Sequence, residues 1–131
     1  MRRHSRRILW AEDNEGDRML IRAALEEAPG ADVRFVDDGV QFLEALEERR
    51  PDLAVLDLRM PRIGGLEALQ RVRRDPRHRD LPVAIFSAGN QPEETAACEA
   101  LGVLAVGHKP VDFREFSAAV QRIVSLELAQ T

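Results

Sequence analysis

Apolar positions recur along the 131-residue chain in blocks whose period changes repeatedly. Ile8–Ala11 is a short apolar run, followed by the polar stretch Glu12–Asp17. Met19, Leu20, Ala23 and Ala24 then recur at helical spacing and predict a helix closed by Pro29–Gly30. Val33–Val36 alternates apolar and polar residues, as a half-buried edge strand does, and Asp37–Gly39 reads as a turn. Val40, Leu43 and Leu46 mark a second helix that stops before Pro51. Leu53–Leu56 is continuously apolar and runs into Asp57, the pattern of a strand covered on both faces. Met60–Gly65 is a loop, and Leu66, Leu69 and Val72 give a third helix. A polar connection, Arg73–Asp80, leads to a buried strand, Val83–Phe86, that ends at Ser87. Beyond the loop Ala88–Gln91, Pro92, Glu93 and Glu94 open a fourth helix, because proline and acids suit a first turn. That helix closes at Gly102. Val103–Val106 predicts the fifth strand, and Phe113, Phe116, Val120, Ile123 and Val124 the last helix.

Five strands alternating with five helices predict an α/β fold with parallel strands, right-handed crossovers and helices on both faces. Four continuously apolar strands and one alternating strand, the second, fit the doubly wound order 2-1-3-4-5. In such sheets ligands bind beyond the carboxyl ends of the strands, near the switch in strand order. Glu12 and Asp13 follow the first strand, Asp57 the third, Ser87 the fourth, and Lys109–Pro110 the fifth. Taken singly, each has a structural explanation as a cap, turn former or surface residue. Together they place three carboxylates, a hydroxyl and an ammonium at one sheet edge.

That set restricts the chemistry. Two like charges 4 Å apart repel by about 4 kcal/mol at an effective dielectric of 20, so a cation must offset the carboxylates. Hard oxygens select a hard cation, and Mg²⁺ commonly takes one or two carboxylates with waters and phosphate oxygens. A metal, a lysine and a hydroxyl around a carboxylate describe a phosphoryl site whose nucleophile is an aspartate. The acidic loop Glu12–Asp17 lacks the glycines and the charge sign of a dinucleotide site, and no Walker sequence exists.

Composition sharpens this reading. Of the 19 basic residues 18 are arginine, and the one lysine is Lys109. An ammonium and a guanidinium do different physical jobs, so the lone lysine marks a place that needs a compact point charge. A net charge of −4 argues against general nucleic-acid binding. No stretch has the roughly 18 apolar residues of a membrane span. The single cysteine, Cys98, excludes an internal disulfide and suits a reducing cytoplasm.

From about Arg7 to Leu126 the chain resembles the receiver domains of two-component response regulators, which share the flavodoxin-like fold. The resemblance rests on Glu12-Asp13-Asn14, on Leu56-Asp57-Leu58-Arg59-Met60-Pro61 followed by Gly64-Gly65, on Ser87, and on Lys109-Pro110. It implies that Asp57 accepts a phosphoryl group from a histidine kinase. It also implies that Glu12, Asp13, Asp57 and the backbone carbonyl of Arg59 hold Mg²⁺, that Ser87 bonds a phosphoryl oxygen, and that Lys109 pairs with the phosphate. A cis Lys109–Pro110 bond is implied by the family alone. Arg74-Asp75-Pro76 before Leu81-Pro82-Val83, with Val111-Asp112-Phe113 and Phe116, resembles the stand-alone regulators that partner bacterial phytochromes.

The expected organisation is a basic tail over residues 1–6, a receiver domain over 7–128 and a short tail over 129–131. The chain ending at the fifth helix leaves no room for an output domain, so the signal is expected to leave by protein–protein contact or onward phosphotransfer. Any activity of its own is weak self-phosphorylation from small donors and self-dephosphorylation. The competing readings are an aspartate-nucleophile phosphatase, disfavoured because Arg59 stands where the general acid belongs, and an unphosphorylated receiver-like binding module. Three departures from the family pattern stand out. Val106 replaces an aromatic residue, Arg59 places a bulky cation beside the phosphate, and Gly89 leaves a path for water. His4, His78 and His108 read as exposed loop histidines, Arg2, Arg3, Arg6 and Arg7 as a solvated tail, and Trp10 and Cys98 as core. Leu126 and Leu128, outside the stripe of the last helix, are expected in a homodimer contact.

Overall fold

The computed structural model describes residues 5–126, in which five parallel strands form one sheet of order β2-β1-β3-β4-β5. The strands are β1 (Arg6–Ala11), β2 (Ala31–Val36), β3 (Leu53–Leu56), β4 (Val83–Ser87) and β5 (Ala105–His108). The helices between and after them are α1 (Glu15–Glu26), α2 (Gly39–Glu48), α3 (Gly65–Arg74), α4 (Pro92–Ala100) and α5 (Phe113–Val124). This is the doubly wound architecture expected from the alternation of periods.

Side chains alternate across the sheet and fill two separate cores. Leu9, Ala11, Leu56 and Ile85 face the layer of α2, α3 and α4, where they pack with Phe42 and Leu69. Ile8, Trp10, Val55 and Phe86 face α1 and α5, where they pack with Ile21, Phe116 and Val120. Trp10 is fully buried and meets the Phe86 ring edge-on at 6.1 Å, and Phe86 meets Phe116 at 5.2 Å. Asn14, Asp38 and Asp112 cap α1, α2 and α5 by accepting from backbone N–H groups three residues on. Among the described residues no helix is long and apolar enough to cross a membrane.

Several expectations need correction. β1 starts two residues earlier than its apolar run, so Arg6 and Arg7 lie in the strand and not in a solvated tail. Arg6 Nη1 donates to the carbonyls of Val124 and Leu126, closing the end of α5. β5 lies two residues later than expected and is a half-exposed edge, not a buried strand, because none of the described residues pairs with its outer side. Helix α1 buries Ile21 and Ala24, while Met19 is exposed: the inward face is rotated from the one its first apolar residues suggest. Phe113 is likewise exposed, since it sits in the first turn of α5, before Phe116 reaches the core. Leu126 is half-buried and packs one side against the α1–α5 core, and Leu128 lies outside the described residues. Among the described residues all peptide bonds are trans, including Lys109–Pro110, so the cis form that the family resemblance implies is not found and the bond keeps the ordinary trans preference of X–Pro. His78 is buried, His108 is exposed, and His4 lies outside the described residues.

Two glycines set how closely the loops at the carboxyl edge approach. A Cβ on Gly65 would stand 2.3 Å from the Asp57 carbonyl oxygen, and one on Gly39 would stand 2.3 Å from the Ile63 carbonyl oxygen. Both obstacles are backbone, so neither can swing aside. Gly65→Ala is therefore expected to cost about 2 kcal/mol of stability, in the range of strained or overpacked substitutions. Urea unfolding measures it, and an unchanged midpoint would show that the loop after β3 yields freely.

Candidate active site at the carboxyl edge of the sheet

The five sequence-predicted side chains occupy the ends of four strands around the switch between β1 and β3. Asp57 directly follows β3 and is buried, Ser87 ends β4 and is buried, and Glu12 follows β1 with no exposed surface. Ser87 Oγ donates to Asp57 Oδ1 at 2.6 Å, and the Arg59 backbone N–H donates to the same oxygen at 2.9 Å. Lys109 Nζ donates to Asp57 Oδ2 at 2.6 Å. The Leu58 N–H donates to Ser87 Oγ at 3.2 Å, fixing the hydroxyl in turn. Both carboxylate oxygens of Asp57 are thus held, each by a different strand's residues.

Lys109 carries more than Asp57. Its ammonium also lies 2.7 Å from Glu12 Oε1 and 2.7 Å from Asp17 Oδ2. Asp17 belongs to the site and was not singled out from the sequence. A helix begun at Met19 leaves Asp17 in the preceding loop; with α1 starting at Glu15, it stands in the first turn and reaches across to β5. The signal was an acid one helical turn beyond Asp13. Burial alone pushes the Lys109 ammonium towards deprotonation, but the bonds it donates to Asp17 and Asp57, with its close approach to Glu12, outweigh burial and hold its pKa above the usual value.

Glu12 is the strained partner. Burial pushes its carboxyl up to about 7, against the opposing pull of Lys109. One oxygen, Oε2, accepts from the Asn14 N–H at 3.1 Å. The other, Oε1, is buried with no aligned hydrogen-bond donor, and touches Lys109 only as an ion pair. Oxygens of Glu12, Asp13 and Asp57 all lie within 4.8 Å of one another, and Asp13 is exposed at the mouth of the site. A buried carboxylate oxygen that shares one ammonium with two other acids, beside two further carboxylates, fits a hard divalent cation.

The three departures also resolve structurally. Arg59 does not stand over Asp57. Its guanidinium turns outward to Glu94 of α4, at 2.7 and 2.8 Å, and to the Gly89 carbonyl at 3.2 Å. Gly89 adopts φ 63°, and a Cβ there would meet nothing within 4 Å, so the space beside it is open. Val106 is half-buried on β5 and packs against the α2–α4 core. On the other flank, Arg62 donates twice to the buried Asp38, at 2.9 and 3.2 Å, tying the loop after β3 to the start of α2.

A doubly wound sheet with acids, a hydroxyl and a lysine gathered at its switch point defines the receiver class of signalling proteins. The chain matches the model of the response regulator receiver domain over residues 8–121 and belongs to that family. It is 36% identical over 121 residues to the cyclic di-GMP phosphodiesterase response regulator RpfG of Xanthomonas campestris, covering 91% of this chain. It spans only 32% of that protein's length. Among solved structures it is similar to the phosphorylated cyanobacterial phytochrome response regulator RcpA, with a TM-score of 0.85, 28% identity, and coverage of 92% of this chain and 91% of that one. It is also similar to the bacteriophytochrome response regulator RtBRR, with a TM-score of 0.76, 31% identity, and coverage of 96% and 81%. The family match decides against an aspartate-nucleophile phosphatase.

The raised pKa of Glu12 has a definite sign in folding. Between about pH 4.5 and about 7 the folded protein holds a proton that the unfolded chain releases, so stability falls as pH rises through this window and levels off above it. Glu12→Gln removes the cost. In metal-free protein at pH 8 it is expected to raise the melting temperature by about 5 °C, with the gain shrinking as pH falls below 7 and vanishing near pH 4. A gain independent of pH would contradict the assignment.

Proposed function

We propose that this receiver accepts a phosphoryl group on Asp57 from a histidine kinase, in a Mg²⁺-dependent reaction. One observation carries the proposal: both oxygens of a buried aspartate are oriented by Ser87, the Arg59 N–H and Lys109 at the switch point of the sheet. In the transfer, a carboxylate oxygen of Asp57 forms a bond to phosphorus as the phosphorus–nitrogen bond of the phosphohistidine breaks. Lys109 keeps a positive charge against that oxygen throughout and pairs with the phosphoryl group afterwards. Ser87, whose hydroxyl now donates to Asp57, turns to a phosphoryl oxygen once the carboxylate becomes an acyl phosphate. Glu12, Asp13, Asp57 and the backbone carbonyl of Arg59 would hold Mg²⁺, which neutralises charge on the phosphoryl oxygens. Stabilising charge at preset positions is the main source of acceleration in such transfers.

The remaining parts of the reading follow from the same module. The receiver unit runs over residues 7–128, flanked by short tails. The cell compartment is the cytoplasm, where histidine kinases deliver their phosphoryl groups. The kinase partner is a bacterial phytochrome, a reading supported by the likeness to RcpA and RtBRR. Without an aromatic residue at Val106, the signal leaves through assembly or onward phosphotransfer. The half-exposed β5 edge between α4 and α5 is the face available to a second copy.

Intact mass after incubation with Mg²⁺ and acetyl phosphate tests the central step. The wild type gains one phosphoryl group, and Asp57→Asn gains none. Lys109→Ala slows the gain about 100-fold, the scale of losing one preset charge-stabilising donor. An unchanged yield in Asp57→Asn would overturn the assignment. Sedimentation at tens of micromolar, with and without phosphodonor, checks assembly: a monomer in both conditions would contradict it.

A further inference from the structure

At the opposite edge of the sheet lies a second cluster that the phosphoacceptor site does not use. Helix α2 ends near Glu47, Asp75 is the C-cap of α3, and the turn that follows carries His78, whose N–H donates to the Asp75 carbonyl at 2.9 Å. His78 is only 8% exposed, yet neither ring nitrogen has a hydrogen-bond partner among the described residues. Leaving a buried imidazole unsatisfied on both sides is costly, and native interiors rarely do so. Its Nε2 stands 3.7 Å from Glu47 Oε2, and ligand atoms of Glu47, Asp75 and His78 all lie within 4.8 Å of one another. The ring borders a cleft of about 300 Å³ floored by Leu43, Leu46 and Val72.

What sits between the two carboxylates is a cation. Arg77 Nη2 donates at 2.8 Å to Glu47 Oε2 and at 2.8 Å to Asp75 Oδ2, while its side chain is 63% exposed. Its Nη1 and Nε also donate at 2.8 Å to Glu47 Oε1 and at 3.1 Å to Asp75 Oδ1, so a competing ion has to displace two bidentate pairs. Once displaced, the arginine leaves an oxygen of Glu47, an oxygen of Asp75 and a ring nitrogen of His78 within 4.8 Å of one another. We propose that Glu47, Asp75 and His78 form a second divalent-cation site, selective for a borderline ion such as Zn²⁺, with Arg77 as its built-in competitor. Imidazole with carboxylates suits Zn²⁺, which accepts three protein ligands and leaves a fourth position to water. Mg²⁺ has no such preference for nitrogen and goes to the all-oxygen site at Glu12, Asp13 and Asp57. The bound ion would tie α2 to the connection between α3 and β4, independently of phosphorylation.

Calorimetric titration of the full chain with Zn²⁺, in excess Mg²⁺ to occupy the all-oxygen site, tests the proposal. One Zn²⁺ binds the wild type, and the ring nitrogen resonances of His78 shift with it. His78→Ala weakens binding at least tenfold. Glu47→Gln, an exposed change that keeps the side-chain shape, weakens it as well. Arg77→Ala tightens it severalfold, which a merely structural salt bridge would not do. Zn²⁺ affinity unchanged in both His78→Ala and Glu47→Gln would overturn the site. So would binding that appears only in Arg77→Ala, since the arginine would then hold the cluster closed in the protein itself.

Discussion

One ammonium holds the carboxyl edge of this molecule together. Lys109 stands within 2.7 Å of Glu12, Asp17 and Asp57, which arrive from β1, α1 and β3. Packed this closely, three carboxylates repel one another by several kcal/mol at any realistic interior dielectric, and each has lost much of its hydration. A single buried lysine offsets part of that cost and leaves the site short of positive charge. That deficit is what makes the site receptive to a divalent cation and, through it, to a phosphoryl group. The arginine-rich composition underlines the point, since a planar guanidinium could not meet three separately aimed carboxylates at one atom.

The sheet is what forces the gathering. Parallel strands with helical crossovers bring the ends of β1, β3, β4 and β5 to one edge, and the order change between β1 and β3 opens the cleft there. The loops around the cleft are cross-braced. Arg62 locks the segment after β3 onto Asp38 at the start of α2. Arg59 links the residue two beyond Asp57 to Glu94 on α4. The Arg59 N–H also touches Asp57 Oδ1, so a change of charge at Asp57 bears on α4 through one residue. In a protein with valine at position 106, this pair offers a mechanical route outward that needs no swinging aromatic ring.

The sequence made the topology legible because period-2 and period-3.6 blocks alternate without interruption and the apolar runs of β3 and β4 are unbroken. The site residues are legible because each stands within three residues of the end of an apolar run. Asp17 was not, because its role depends on where α1 begins, and the apolar residues of that helix do not mark its start. The edge character of β5 was hidden by its composition: Val103–Val106 is as apolar as a buried strand, and only its place in the sheet leaves it half-exposed. Phe113 and Met19 misled for a similar reason, since periodicity identifies a stripe but not where it meets the core. His78 reads as an exposed loop residue but is buried, because burial by the ends of α2 and α3 is a tertiary property that no local pattern carries.

The central claim is that Asp57, and no other carboxylate in this crowded site, becomes the phosphorylated group. Glu12, Asp13 and Asp17 lie close enough that a mass gain alone does not distinguish them. Borohydride reduction of the phosphorylated protein converts an aspartyl phosphate to homoserine, which peptide mapping locates. The account predicts homoserine at position 57 and unmodified residues at 13 and 17. Homoserine at either of those positions, with residue 57 intact, would contradict it.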